Sequence, residues 1–227
     1  MRARASSSVL DVPVICCVAL LIIAAGPSSS HKPRLIITEI QYNPTSPEQD
    51  ETQTEWVEIR NVGGESVNLK GIQLTSGTKA KPRDAKQRYV LGDGTIAPGA
   101  YAVIGIGMAD SYKSFGLPAM IAHCGEQKYA WLVNGGDGVA LRDERGDVID
   151  EVVYDAESPW PLTNPGCSLQ YVGPAGPDGA AANDDPKNWV ASDEKNADAF
   201  DGHGRGTPGG PPKPTTRPAG QDARRQR

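Results

Sequence analysis

The chain has 227 residues, which is enough for one domain of ordinary size with tails, and its 23 basic and 28 acidic side chains give a net charge of −5. The charge is uneven: residues 31–210 hold 16 basic and 26 acidic side chains, a net charge of −10, whereas residues 211–227 have a net charge of +4. Because contact with phosphates needs a basic surface, the acidic body argues against a large nucleic-acid-binding face.

The first 30 residues have the pattern of a secretory signal peptide. Arg2 and Arg4 precede an apolar run over residues 12–25, and small residues follow it. The run is shorter than the roughly 20 apolar residues that a membrane span needs. We therefore expect residues 1–30 to direct export and the mature chain to be secreted, periplasmic or held at the cell surface, with no transmembrane span. The alternative is an uncleaved N-terminal membrane anchor.

The exported part contains two cysteines, Cys124 and Cys167. In an oxidising compartment such a pair is most simply one disulfide. The alternative is a zinc site that includes the neighbouring His123, but structural zinc needs four closely spaced Cys or His ligands and the chain has no second pair. The sequence therefore predicts a disulfide between Cys124 and Cys167.

The segment RLIITEIQYNP, residues 34–44, has the two-residue periodicity of a β-strand and ends in an Asn-Pro turn. Strict alternation predicts two faces. They are Ile36, Thr38, Ile40 and Tyr42 on one side, and Leu35, Ile37, Glu39 and Gln41 on the other.

The segment TEWVEIRNVGG, residues 54–64, mixes charged and apolar residues in the same period. The predicted faces are Val57 and Ile59 inward, and Trp56, Glu58 and Arg60 outward. We expect the outward face to be solvated, with Glu58 and Arg60 as an exposed pair of opposite charges. Because Glu55 and Glu58 fall on opposite faces of the strand, they do not form a catalytic acid/base pair.

Seven further short runs follow, separated by turns rich in glycine, proline and aspartate. They are VNLKGIQLTS, QRYVL, AYAVIGIG, YAWLV, GVALRD, DVIDEVVY and CSLQYV. RDERGDV is predicted to be a hairpin turn in which Gly146 takes positive φ. The one helix candidate is residues 109–118. Nine or so strands and almost no helix predict an all-β sandwich or barrel.

The composition changes after Val172 and again near Pro211. Between them only Asn188–Val190 has apolar residues to dock on the sheet. Residues 211–227 lack core residues and are predicted to form a disordered, basic, proline-rich tail. The predicted organisation is therefore a signal peptide over residues 1–30, one domain over residues 31–210 and the tail.

The order of these motifs, from LIITEIQYNP through NGGDGVALRDERGDVIDEVVY to GRGTPGGPP, resembles the lamin tail domain of exported prokaryotic proteins over residues 34–210. The resemblance implies an immunoglobulin-like β-sandwich with no catalytic role, to which the helix candidate adds one short helix. It implies a binding or attachment module, and we expect no cofactor. No coiled-coil rod or basic nuclear-localisation cluster precedes the domain, so the chain does not resemble a complete lamin.

Three functions follow from this resemblance. The leading one is an exported, non-enzymatic module that binds a protein or a cell-surface polymer through strand faces and the loops at residues 43–54 and 155–166. The second is an accessory domain, calcium-stabilised in one version, that positions a separately encoded hydrolase. The third is DNA binding by analogy with lamins, which the acidic body makes unattractive outside the tail.

Few side chains are candidates for catalysis or metal binding. His31, His123 and His203 are isolated, and we expect structural or surface roles for them. Asp198 and Asp201 are weak calcium candidates, because Phe200 interrupts the alternation of oxygen ligands between them; a solvated acidic surface is the alternative, and no metal site is predicted.

Two tryptophans are candidate binding residues. Trp160 lies in the proline-flanked loop ESPWPLTNPG, and Trp56 lies on the outward face of its strand. A rigid, partly exposed indole stacks well on a sugar or on a partner side chain. The alternative is that both rings anchor the core.

Overall fold

The computed structural model describes residues 34–45, 55–78, 87–106, 120–123, 131–176, 178–193, 195–200 and 204–213, all within one compact unit, Lys32–Arg227. The strands are β1 Leu35–Gln41, β2 Glu55–Asn61, β3 Val67–Asn68, β4 Gln73–Thr78, β5 Gln87–Val90, β6 Thr95–Ile96, β7 Tyr101–Ile106, β8 Met120–His123, β9 Gly136–Arg142, β10 Val148–Asp155, β11 Leu169–Tyr171, β12 Trp189–Ala191, β13 Asp198–Phe200 and β14 Gly204–Gly206. A four-residue helix α1, Gly179–Ala182, and a 3-10 turn, Pro186–Asn188, precede β12.

Two main sheets form a sandwich. One has six strands in the order β12-β11-β1-β2-β7-β8, and the other has four in the order β10-β9-β4-β5. Among the described strands only β7 and β8 pair in parallel; β3–β6 and β13–β14 form small separate pairs. This confirms the predicted all-β fold with one short helix. The helix candidate at residues 109–118 lies outside the described residues.

The core lies between the two sheets and is filled by the inward residues of both. Val57 and Ile59 of β2 are fully buried, as predicted, and they pack in the same cluster as Leu74, Leu141 and Val152 of the opposing sheet. Successive residues of a strand point to opposite faces of its sheet. Every second residue of each sheet therefore faces the opposing sheet and packs in the core. Among the described helices, none has the length and apolar character that crossing a bilayer requires.

The turn between β9 and β10 has the predicted geometry. Val148 pairs with Arg142, and Gly146 has a φ of 90°. The Asp143 carboxylate accepts hydrogen bonds at 2.9 Å from two backbone N–H groups of the same turn, those of Arg145 and Asp147. An aspartate that binds the backbone two residues ahead stabilises such a turn, and glycine adopts positive φ without steric cost.

The strict alternation predicted for β1 is wrong after Ile37. A β-bulge shifts the register, with Thr38 as the extra residue: Ile37 lies opposite Ile59, whereas Glu39 lies opposite Glu58. Residues directly opposite in an antiparallel pair share a face, and a bulge lets two residues of one strand oppose one of the other. Ile37 and Glu39, predicted on one face, therefore point to opposite faces.

Of two other predicted segments, YAWLV does not form the expected strand, whereas NWV docks on the sheet as expected. Residues 131–133 of YAWLV are not a strand, because the N–H groups of Trp131 and Leu132 donate at 2.8 and 3.1 Å to the carboxylate of Glu55 instead of to a neighbouring strand. The apolar residues of NWV do dock, since Trp189–Ala191 is β12 at the sheet edge. Of the predicted disordered tail, residues 214–227 lie outside the described residues.

Candidate functional site

The site begins with the outer face of the six-stranded sheet, the face turned away from the opposing sheet. On β2 this face carries Trp56, Glu58 and Arg60, as the period of two predicts. The prediction that it is solvated is wrong for Glu58, which is 1% exposed, while Arg60 is half-buried. The reason is a segment distant in the chain, residues 204–210, which we call the cover segment and which lies over the middle of this face.

The cover segment is in close contact with the sheet. A Cβ atom on Gly206 would lie 2.6 Å from the Glu39 carboxylate and 3.0 Å from the Trp56 ring, so a side chain larger than hydrogen has no room there. Gly204 has a φ of 123°, a conformation that favours glycine. The glycines of GRGTPGG therefore permit the backbone to reach the buried side chains of the face.

Glu39 and Glu58 form a pair of buried carboxyl groups beneath the cover segment. Thr207 donates two hydrogen bonds to Glu39, one from its N–H at 2.9 Å and one from its hydroxyl at 3.0 Å. Ser168 and Gln170 of the neighbouring strand region donate to the same carboxyl. Thr207 belongs to the cover segment, whereas Glu39 belongs to the sheet. The Glu39 carboxyl therefore links the cover segment to the sheet by hydrogen bonds.

Glu58 is bound in the same manner with fewer donors. The Thr38 hydroxyl donates at 2.7 Å to one oxygen, and the N–H of Gly209 donates at 2.6 Å to the other. Thr38 is the extra residue of the bulge, so the bulge both turns Glu39 toward Glu58 and supplies a donor for Glu58.

Burial changes the acidity of the pair. Desolvation raises the pKa of Glu39 to about 7, against the opposing effect of its hydrogen bonds. Desolvation, and then repulsion from Glu39, raises the pKa of Glu58 well above its ordinary value. Like charges that share a low-dielectric site oppose each other's ionisation. A group that acts on an external substrate must reach it, and these two carboxyls are enclosed by their own donors.

A groove remains open beside the cover segment, at the end of the face that carries Arg60. Its volume is about 480 Å³. The floor and walls come from β1, β2, β7, the β11–β12 edge and the residues after the cover segment: Ile36, Thr38, Arg60, Tyr101, Tyr171, Val172, Gly173, Ala175, Val190, Asn196, Pro211, Pro212 and Lys213. The Arg60 guanidinium lies 5.0 Å from the centre of the Tyr101 ring, a cation–π arrangement.

The two tryptophans named as binding candidates are both buried. Trp56 is 2% exposed and lies under Gly206, and Trp160 is 7% exposed with its ring 5.8 Å from that of Trp189. Both rings are thus covered by other parts of the protein, and binding by either tryptophan stays a prediction. The groove, which combines residues far apart in the sequence, was not predicted.

The weak calcium candidates separate in the structure. The Asp198 carboxylate forms an ion pair with Lys213, and Asp201 lies outside the described residues. Among the described side chains, no group of three or more His, Cys, Asp and Glu could hold a metal ion. Calcium stabilisation stays a prediction.

The remaining candidate residues fall partly outside the described ranges. Cys167 is buried, and Cys124 lies outside those ranges, so the pairing of these two cysteines stays a prediction. His31 and His203 also lie outside them, and His123 belongs to β8.

The two loops predicted as binding surfaces meet each other. The N–H of Gly166 donates at 2.7 Å to the carbonyl of Asn43, and the hydroxyls of Tyr42 and Thr163 are 2.5 Å apart. Residues 46–54 of the first loop lie outside the described residues. Binding by these loops stays a prediction.

A family model described as Lamin Tail Domain matches residues 28–156. No curated protein matches the chain. The matched residues end just after β10, so β11, β12 and the cover segment lie beyond them although they complete the six-stranded sheet and its outer face.

Proposed function

The chain belongs to the lamin tail domain family, a family of non-catalytic immunoglobulin-like domains, and from this premise we propose that it is an exported, non-enzymatic binding or attachment module. Its partner in this proposal is a protein or a cell-surface polymer. Export rests on the signal-peptide pattern of residues 1–30.

One observation carries the proposal: the buried acids of the outer face bind the protein's own donors, while the groove next to them is open. Glu39 accepts hydrogen bonds from Ser168, Gln170 and Thr207, and Glu58 accepts from Thr38 and Gly209. A concave, mainly apolar site with a small number of placed polar groups is the usual form of a binding site. The face therefore supports recognition better than it supports acid–base chemistry.

Two measurements on the purified full chain test the proposal together. The first is retention of the chain on cell envelopes and on the extracellular protein fraction of its source, as a function of protein concentration. The second is hydrolysis of phosphodiester and ester substrates. We expect saturable retention and no turnover above buffer. Sustained hydrolysis, or retention on neither fraction, contradicts the proposal.

The accessory-domain alternative makes a different prediction about calcium. A domain stabilised by calcium melts at higher temperature with calcium than with a chelator, because a ligand that binds only the native state stabilises it by mass action. Equal melting temperatures in calcium and in EDTA would contradict the hypothesis that calcium stabilises the domain. The ion pair of Asp198 with Lys213 leads us to expect equality.

A further inference from the structure

We propose that the groove beside the cover segment binds an acidic peptide segment, an extended stretch of a partner protein in which a carboxylate lies next to apolar side chains. The proposal rests on the binding function proposed above and adds the chemical class of the partner and the residues that recognise it.

The carboxylate would bind Arg60. Its guanidinium stacks on Tyr101, and its Nε donates to the carbonyl of Gly99 at the long distance of 3.4 Å. Within the described part of the chain no carboxylate lies at salt-bridge distance from it. The terminal nitrogens of arginine form a planar fork that matches a carboxylate with two parallel hydrogen bonds. A half-buried guanidinium held in place by an aromatic ring is preorganised for that contact.

The neighbouring acid does not take this role. Glu58 lies two residues away on the same face of β2, but its oxygens are engaged by Thr38 and Gly209 and it is 1% exposed. The other cation of the groove, Lys213, is paired with Asp198. Arg60 is therefore the cation of the groove that is open to a ligand.

The apolar walls select a peptide over a sugar. Val190, Pro211 and Pro212 line the groove with aliphatic surface, and Val172 at its rim is 49% exposed. Such walls gain free energy by covering apolar side chains, whereas the hydroxyls of a sugar need many polar partners. The Arg60 guanidinium already lies over the Tyr101 ring, so that ring is not free to stack on a sugar.

Arg60 gives the groove a positive charge that contrasts with the acidic domain around it. Residues 31–210 have a net charge of −10, which repels acidic chains in general. In the groove the charge of Lys213 is compensated by Asp198, whereas Arg60 has no carboxylate at salt-bridge distance among the described residues. An acidic segment is thus complementary to the guanidinium of Arg60 in the groove.

The test measures binding of a fluorescent peptide, acetyl-Val-Leu-Glu-Leu-Val amide, to the full chain by anisotropy. We expect R60Q to weaken binding by about tenfold or more, because a hydrogen-bonded charge pair is lost. R88Q removes the same charge from an exposed residue of β5 in the other sheet and should change the affinity by less than about twofold. The peptide with Gln in place of Glu should bind the wild-type chain as weakly as R60Q binds the original.

A second pair of variants avoids any effect of R60Q on folding. V172E places a carboxylate at the exposed rim of the groove and should weaken binding by about tenfold through repulsion of the acidic peptide. V133E makes the same change at a residue that is 45% exposed and does not line the groove, so it should leave binding unchanged. Equal binding by wild type, R60Q and V172E would overturn the proposal.

Two further arms identify the source of the carboxylate and the class of partner. Acetyl-Val-Leu-Gln-Leu-Val with a free C-terminus tests whether a terminal carboxylate replaces the side chain; Arg60-dependent binding of either peptide supports the proposal. Arg60-dependent binding of alginate without binding of either peptide overturns it in favour of an acidic polysaccharide. If R60Q is retained on extracellular material as well as the wild type is, this inference fails while the proposed binding function stands.

Discussion

Glu39 and Glu58 lie directly opposite each other across the β1–β2 ladder, and the cover segment donates hydrogen bonds to both of them. The two carboxyls connect strands near the N-terminal end of the domain to residues 168 and 151 positions later in the chain. Thr207 and Gly209 are the donors, so these two acids help to hold the cover segment, together with the backbone hydrogen bonds of Arg205 to Gly166 and Ser168.

This arrangement predicts that the protein loses stability as the pH rises from about 4.5 to about 7. Burial raises the pKa of Glu39 to about 7 from an ordinary 4.5, so in this range the native state holds a proton that the unfolded state has released. The free energy of unfolding then falls with pH, by roughly 3 kcal/mol for one such group. The pKa values of Glu58 and Asp150 are raised in the same direction.

Urea denaturation at pH 5 and at pH 8 checks this prediction. We expect a higher free energy of unfolding at pH 5 than at pH 8, because Glu39 keeps its proton in the native state at pH 5 and has released it by pH 8. A free energy of unfolding that increases with pH through this window would show that the carboxyls are not held protonated by burial.

Two isosteric variants should act in opposite directions at pH 8. E58Q removes a carboxyl whose ionisation is opposed by burial and by Glu39, and its amide can accept from Gly209 and donate to the Thr38 hydroxyl, so we expect a gain of about 1 kcal/mol. E39Q places an amide NH₂ against Thr207, which already donates to that position, so we expect a loss of about 1–2 kcal/mol.

Thermal melts at pH 5 and pH 8 distinguish these variants. The E58Q gain should disappear at pH 5, where the wild-type acid is protonated, whereas the E39Q loss should persist. A gain for both variants at pH 8 would mean that charge alone, and not donor geometry, determines the stability of the pair.

The sequence predicted the strands and missed what covers them. Val57 and Ile59 alternate with charged residues, and this alone indicates a strand with one buried face. The same pattern is compatible with a solvated outer face, because nothing in residues 54–64 reveals that residues 204–210 lie over them. The burial of Glu58 follows from a contact between distant segments, which a local period does not contain.

The bulge was missed for a different reason. Apolar residues occupy both predicted faces of β1, with Ile37 on one and Ile36 and Ile40 on the other, so a slip of one residue leaves the pattern almost unchanged. The turn at Gly146 was predictable because its determinants, a preceding aspartate and a glycine, are all local.

Gly204 is predicted to be indispensable for docking of the cover segment. Its φ is 123°, and a Cβ atom there would lie 1.8 Å from the carbonyl oxygen of Gly166. We expect G204A to cost about 3 kcal/mol in unfolding free energy, through backbone strain and the overlap with Gly166. Gly210, where an added Cβ meets nothing within 4 Å, supplies the control, and G210A should stay within about 0.5 kcal/mol.

Amide hydrogen exchange locates the effect of G204A. If the cover segment detaches, the Thr207 and Gly209 amides should exchange faster, while the core strands keep their protection. Unchanged exchange at these two amides in G204A would show that the segment adapts without leaving the carboxyls.

Asp150 provides the last prediction, at Ile37, where β1 pairs with β2 but extends beyond its pairing with β11. Its Oδ2 accepts from the N–H of Ile37 at 2.6 Å and from the Asn183 side chain at 2.8 Å, and burial raises its pKa to about 7. D150A leaves that buried N–H without its acceptor, so we expect a loss of about 2–3 kcal/mol. D150N keeps an oxygen in place and should lose less unfolding free energy at pH 8 than D150A does.

The exposed residue Asp147 serves as control, with the stability of D147A expected near that of the wild type. Urea denaturation ranks the three variants, and faster exchange of the Ile37 amide in D150A alone identifies the cause. A D150A protein as stable as D147A would show that Ile37 finds another acceptor, and that Asp150 does not hold this edge of the sheet.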